Sequence, residues 1–198
     1  MTILYPIGDS LYVNITNQCP CRCVFCIRME TDHVGNSGSL WLDHEPSIEE
    51  VKEEFKKFNI DDYKEIVFCG YGEPLVRLNE IIEISNFIKG ISSIKIRINT
   101  NGLADLIHNK DTAVLLKDSI DAVSISLNAP DKKRYYEVTK PKFGEKSFDA
   151  LLKFASECKK YLKDVSFSVV DEISDEEIDN AKKLAKDMDI PLRVRHKQ

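Results

Sequence analysis

Four cysteines crowd into eight positions, Cys19-Pro20-Cys21-Arg22-Cys23-Val24-Phe25-Cys26. Thiolates this close in sequence can converge on one inorganic centre. Taken as Cys19, Cys23 and Cys26, with aromatic Phe25 before the last, they form a Cys-x-x-x-Cys-x-x-Cys set. A cubane iron-sulfur cluster has four irons and is usually held by four cysteines, so a three-cysteine cradle leaves one iron open to a group that is not protein. Zinc bound by all four thiolates is the rival reading, but zinc sites generally place Cys-x-x-Cys pairs far apart, whereas these form one tight run.

Other residue types suited to a ligand follow. Gly70 and Gly72 put small residues beside the carboxylate of Glu73, where a ligand can approach backbone and a cationic amine can find an acid. Asn99, Ser126 and Asn128 supply both donors and acceptors. Lys95, Arg97, Arg193 and Arg195 could hold a carboxylate or an anionic substrate group, or simply pair with acids such as Glu65 and Asp171. Asn101-Gly102 is a turn signal, reason enough for that asparagine. Cys69 and Cys158 read as ordinary buried cysteines, with a radical-relay role for Cys69 as the sharper alternative. His33, His44, His108 and His196 lack metal spacing.

These residues need a frame. Six stretches bounded by turn residues read as strands: Leu11 to Thr16, Glu65 to Gly70, Ile94 to Asn99, Ala122 to Asn128, Val165 to Val170 and Leu192 to Arg195. Between most of them run amphipathic helical patterns, such as Ile48, Val51, Phe55 and Phe58, then Ile81, Ile84, Phe87 and Ile88, then Leu151, Phe154 and Ala155. Ser47 with Glu50 and Ser174 with Glu177 are capping-box signatures. Regular alternation of strand and helix implies a parallel sheet with right-handed crossovers. Within the strands, apolar residues alternate with polar ones, as in Ile94, Ile96 and Ile98 against Lys95, Arg97 and Asn99. Helices therefore cover one face, and the other is wet or filled by ligand, since burying so many polar groups unpaired is too costly. A curled sheet with a polar concave face gathers ligands at its C-terminal strand ends, where the cysteine loop, Gly70 to Pro74, Asn99 to Gly102 and Asn128 to Pro130 all fall. The long stretch from Arg28 to Glu45 holds Trp41, either as part of a lid or as an anchor to the core.

Composition bounds the answer. With 198 residues, 42% hydrophobic, the chain suits one well-cored domain better than two. A net charge of -5 with dispersed bases argues against general nucleic-acid binding. Neither a signal peptide at Met1 to Pro6 nor a run of about 18 apolar residues is found, so a cytoplasmic location is the expectation, and with it metal binding over a disulfide framework.

The cysteine run with Phe25, together with Phe68-Cys69-Gly70-Tyr71-Gly72-Glu73-Pro74-Leu75, Asn99-Thr100-Asn101-Gly102 and Ser126-Leu127-Asn128-Ala129-Pro130, resembles the radical S-adenosylmethionine (SAM) superfamily, and within it the small TatD-associated radical SAM proteins. The resemblance implies a partial (β/α)6 TIM-like barrel of parallel strands with an open side, residues 1–198 forming a single radical SAM core domain. It implies Cys19, Cys23 and Cys26 as catalytic ligands of a 4Fe-4S cluster, with no ligand role for Cys21. It implies a SAM site drawn from Phe25, Gly70, Gly72, Glu73, Asn99, Ser126, Asn128 and, at the SAM carboxylate, Arg195. Reductive SAM cleavage to a 5′-deoxyadenosyl radical acting on an unidentified substrate is the implied function, with a reductant such as flavodoxin or ferredoxin. The family's adenine-contacting segment is not recognisable in Val169-Val170-Asp171-Glu172. The open side calls for cover by a large substrate, a partner protein or a dimer mate. A glycyl-radical activating enzyme with a protein substrate, a non-catalytic zinc or Fe-S module, and an enzyme resembling the 7-carboxy-7-deazaguanine synthases are the alternatives, the last suiting an anionic substrate.

Overall fold

Strand and helix alternate through the computed structural model, which describes residues 1–196. The expected strands appear as β2 (Ser10–Val13), β3 (Glu65–Phe68), β4 (Lys95–Thr100), β5 (Ala122–Ser126), β6 (Asp164–Val170) and β7 (Leu192–Arg195), paired in parallel and in chain order. One strand was not foreseen. β1 (Leu4–Ile7) pairs antiparallel with β2 through the two-residue turn Gly8-Asp9, making a seven-stranded sheet. Its Pro6, which cannot donate to a ladder, is tolerated because β1 is an edge strand.

The sheet is not closed, since β1 and β7 are its two ends. It is nevertheless strongly curled. Arg195 on β7 acts electrostatically on Tyr12 of β2, and five inter-strand steps of about 4.8 Å would put a flat sheet's strands well beyond the reach of one side chain.

Helices cover the convex face: α1 (Ile48–Phe55), α2 (Leu78–Ile91), the short α3 (Ala104–His108) and α4 (Ala113–Leu116), α5 (Lys132–Thr139), α6 (Lys146–Tyr161) and α7 (Asp175–Asp187). Both capping boxes form, Ser47 accepting from the Glu50 amide and Ser174 from the Glu177 amide, each contributing about 1 kcal/mol to its helix. Val51 and Phe55 of α1, Ile81, Ile84 and Ile88 of α2, and Leu151, Phe154 and Ala155 of α6 are all buried. They pack on Ile66, Phe68, Ile96, Ile98, Val123, Ile125, Phe167 and Val169 of the sheet. The concave face keeps the polar alternation. Along β4, Ile96, Ile98 and Thr100 are buried, while Arg97 and Asn99 stay partly open. Registers of Asn99 with Ser124 and of Ser124 with Ser166 carry the polar row across the trough. No helix among the described residues is long and apolar enough to cross a membrane.

Candidate functional site

The rim is built where β2 runs out. Asn14 and Thr16, expected on the ligand face, are buried and spent on structure instead. The Asn14 amide donates to the carbonyls of Thr2 and Leu40 at 3.1 and 2.8 Å, and the Thr16 hydroxyl to Glu45 at 2.5 Å. Asn17 exchanges two bonds with the Leu42 backbone. The stretch after Arg28 is thereby strapped to the rim, and Trp41 packs edge-on against Tyr71 at 5.2 Å with the Arg28 guanidinium 6.0 Å from its ring centre. Trp41 is an anchor.

The cysteine loop is held from the other side by the end of α5. The amides of Arg22 and Val24 donate to the carbonyls of Thr139 and Val138, and Lys142 donates back to Pro20, at 2.7 to 2.9 Å. Cys19, Cys23 and Cys26 remain partly exposed, whereas Cys21 is buried. Cys21 does not point away from its neighbours as an extended loop would place it. The bonds to α5 curl the loop and bring the Cys21 thiol against Cys19 and Cys23. That neighbour is the largest cause drawing the Cys19 thiol down to about 6, with Arg28 and Asn101 assisting. Burial moves Cys26 the other way.

Glu73 is buried and accepts from the Thr100 hydroxyl at 2.6 Å, the Asn101 amide at 2.7 Å and the Leu75 amide at 3.1 Å. Burial, then the Cys19 charge, pushes its carboxyl up to about 7, against these three donors. Asn101, read from sequence as no more than a turn residue, is the site residue the sequence reading missed. Its side-chain amide reaches the sulfurs of Cys19 and Cys21 at 4.0 and 3.8 Å while its backbone amide binds Glu73. The turn signal hid it, since Gly102 at φ +75° does form that turn. N–H···S bonds of this kind tune cluster potentials.

The two glycines also serve the packing of the rim. A Cβ on Gly70 would lie 2.0 Å from Asn14 Oδ1, and one on Gly72 2.3 Å from the Thr16 carbonyl oxygen. Protein, not ligand, fills that space: the strand end passes directly over the start of the cysteine loop.

Deeper in the trough a second group assembles. Arg97 pairs with Glu65 through two bonds, at 3.0 and 2.6 Å, and also donates to Asn99. Burial raises the pKa of the Cys69 thiol, with Asn99 opposing it. Cys69 thus faces the trough among polar groups and is no ordinary core cysteine. Lys95 pairs with Asp164 at the exposed floor. Ser126 is half-buried, and Asn128, in the left-handed region at φ +58°, is buried with Oδ1 lacking any partner. Such an orphan invites a polar ligand. Phe25 is partly buried against the core. The structure therefore brings Cys19, Cys21, Glu73, Thr100 and Asn101 together, sets Cys69, Arg97 and Asn99 beneath them with Arg195 bearing on Cys69 and Arg97 from β7, and puts Ser126 and Asn128 on the adjoining strand end. The histidines stay outside: His33 meets Asp32, His44 meets Glu50, His108 meets the Leu75 carbonyl, and His196 meets Asp171.

Cys19, Cys23 and Cys26 lie partly exposed on one loop, while among the described residues no three His, Cys, Asp or Glu side chains gather closely enough to hold a single metal ion. Residues 13–185 match the model of the Radical SAM superfamily. A GTP 3′,8-cyclase of Clostridium botulinum (strain Okra / Type B1) is 28% identical over 189 residues, 93% of this chain and 55% of that protein. One from Listeria monocytogenes serotype 4b (strain CLIP80459) is 29% identical over 194 residues, covering 94% and 53%. The chain spans about half the length of these relatives. Among solved structures, native anSMEcpe with bound AdoMet superposes with a TM-score of 0.64 at 19% identity, over 94% of this chain and 50% of that one. Streptococcus suis SuiB bound to S-adenosylmethionine gives 0.63 at 19%, over 96% and 38%. These last two likenesses concern the fold.

Proposed function

Because the chain belongs to the radical SAM superfamily, an enzyme family that works with a 4Fe-4S cluster and SAM, we propose that it cleaves SAM reductively at the rim and acts by hydrogen abstraction on a substrate in the trough. The observation that carries this reading is the knot of Cys19, Glu73 and Asn101, three separate segments meeting at one rim. Cys19, Cys23 and Cys26 would hold the cluster, with Cys21 buried behind them as a thiol donor. When bound, the cluster and SAM supply a 5′-deoxyadenosyl radical, methionine being the other product.

The protein's own tasks are binding, orientation and exclusion of water. Glu73, already pressed toward neutrality by burial, regains its charge most readily beside a cation, which suits the SAM ammonium. Asn99, Ser126 and Asn128 offer hydroxyl and carboxylate partners, and the orphaned Asn128 oxygen would gain one. Gly70 and Gly72 bring the Glu73 backbone against the cysteine loop, and Phe25 lines the same loop. Residues 1–198 read as one such core domain, to be supplied with electrons by a flavodoxin- or ferredoxin-like protein.

A second reading, activation of a protein substrate, is favoured by one feature: the trough is open between β1 and β7, leaving room for a large partner. GTP joins the substrates to assay on the strength of the relatives' name. The deciding experiment is anaerobic reconstitution with iron and sulfide, then dithionite and SAM, with 5′-deoxyadenosine measured. Protein that carries the cluster yet makes none of it ends the reading.

A further inference from the structure

Arg97 and Arg195 share the concave face but differ in what answers their charge. Arg97 is bound along the Nε–Nη2 edge of its guanidinium by both oxygens of the Glu65 carboxylate, so its charge is met before any ligand arrives. Arg195 is not. Among the described residues no carboxylate forms an ion pair with it, and its Nε is buried without a hydrogen-bond partner. The nearby acids are engaged elsewhere: Glu65 with Arg97, Asp164 with Lys95, Asp171 with His196.

The groups that bear on Arg195 are Cys69, Arg193, Tyr12 and Arg97. Two are cations. The other two are a thiol and a phenol whose pKa values burial raises, so both are neutral at pH 7 and supply no negative charge. A guanidinium desolvated by protein and ringed by cations and neutral groups is a cation in want of an anion. Arg193, two residues earlier on the same strand face, adds to the field.

Arg195 pairs in register with Val170 at the end of β6, and across the curl of the sheet the groups bearing on it include Tyr12 of β2, which stands in one register row with Val67 and Arg97. An anion at Arg195 would therefore sit on the concave face between β7 and β2.

We propose that Arg195, reinforced by Arg193 and flanked by the Tyr12 hydroxyl and the Cys69 thiol, binds an oxyanion group of the substrate, a phosphate or a carboxylate. Guanidinium recognises either through paired hydrogen bonds. This narrows the four bases singled out in the sequence to two, Lys95 and Arg97 being spent on ion pairs. The word substrate rests on the radical-enzyme reading; the oxyanion site itself does not.

The test is calorimetric titration of anaerobically reconstituted protein with inorganic pyrophosphate and with malonate, one probe for each source of the oxyanion. At least one should bind. Arg195→Gln should weaken it by about 10- to 100-fold, the range for a lost charge-assisted pair, and exposed Arg193→Gln by only a few-fold. SAM affinity should change less than about twofold, since an untouched contact costs little. Arg195→Lys keeps the charge and should still bind more weakly than wild type, providing a folded variant should the glutamine protein fail. Wild type that binds neither probe, or both Arg195 variants binding as wild type, overturns the proposal. So does loss of SAM affinity with probe binding intact, which would return Arg195 to the cofactor carboxylate. Parallel assay of 5′-deoxyadenosine separates the two readings: protein that makes it but binds no probe refutes only the oxyanion site, and protein that binds through Arg195 but makes none refutes only the radical reading.

Discussion

Replacing Gly72 with alanine should damage the rim in a measurable way. The added Cβ would stand 2.3 Å from the Thr16 carbonyl oxygen and 2.7 Å from that of Gln18, both backbone atoms of the segment that leads into Cys19. No rotamer can relieve a clash with backbone. To reach ordinary contact at 3.4 Å the Thr16 oxygen must retreat by about 1.1 Å. Overpacking of this kind costs about 1–3 kcal/mol. The retreat also pulls on the 2.7 Å bond from the Glu73 amide to the Gln18 carbonyl, worth about 1 kcal/mol more. A loss of about 2–4 kcal/mol in a chain of this size lowers the melting temperature by roughly 5–15 °C. Thermal denaturation of the cluster-free protein measures that, and iron analysis after anaerobic reconstitution should show reduced loading, because the first cysteine ligand is displaced. Gly90→Ala is the control. Its Cβ meets nothing within 4 Å and it lies inside α2, so helix propensity alone should add about 1 kcal/mol. Gly72→Ala protein that melts with wild type and holds full iron would refute the packing account of that glycine.

Other consequences can be checked alongside. Removing Cys19, Cys23 or Cys26 by alanine substitution should abolish iron and acid-labile sulfide retention, whereas Cys21→Ala should keep the cluster and lose about 1 kcal/mol of stability from a buried thiol; equal iron loss in all four would make Cys21 a ligand. Glu73 moves from 4.5 to about 7 on folding, so the native state holds its proton more tightly. The stabilisation is full below pH 4.5 and is lost as pH rises through 7, about 3 kcal/mol in cluster-free protein. Urea denaturation across that window should show this slope in wild type and not in Glu73→Gln. Arg97→Gln leaves Glu65 half-buried without its cation and should cost about 1–3 kcal/mol while leaving pyrophosphate or malonate binding near wild type; a double-mutant cycle with Glu65→Gln measures the coupling.

Much of the molecule could be read without coordinates because its signals are local. Period-two alternation in Lys95 to Asn99 announced a two-faced strand, Ser47 with Glu50 announced a helix start, and the cysteine run announced a metal loop. β1 was missed since four residues containing a proline carry too weak a pattern, and only pairing with β2 makes them a strand. At Gly70 and Gly72 the sequence does not show the packing reason for glycine, because closeness between strand ends is invisible in one dimension.

Residue chemistry and spacing by themselves marked a crowded thiol loop, the helix-covered face and the polar strand ends, and the family came from the resemblance those motifs carry. Tertiary structure alone decided which charges are met and which are not. Arg97 and Arg195 look alike in the sequence, yet the curl of the sheet sets Glu65 against the first and only a thiol, a phenol and two further cations around the second. Charge compensation depends on distances of a few ångström between residues on different strands, 32 positions apart for Glu65 and Arg97, and chain order does not encode those distances until the strands have paired.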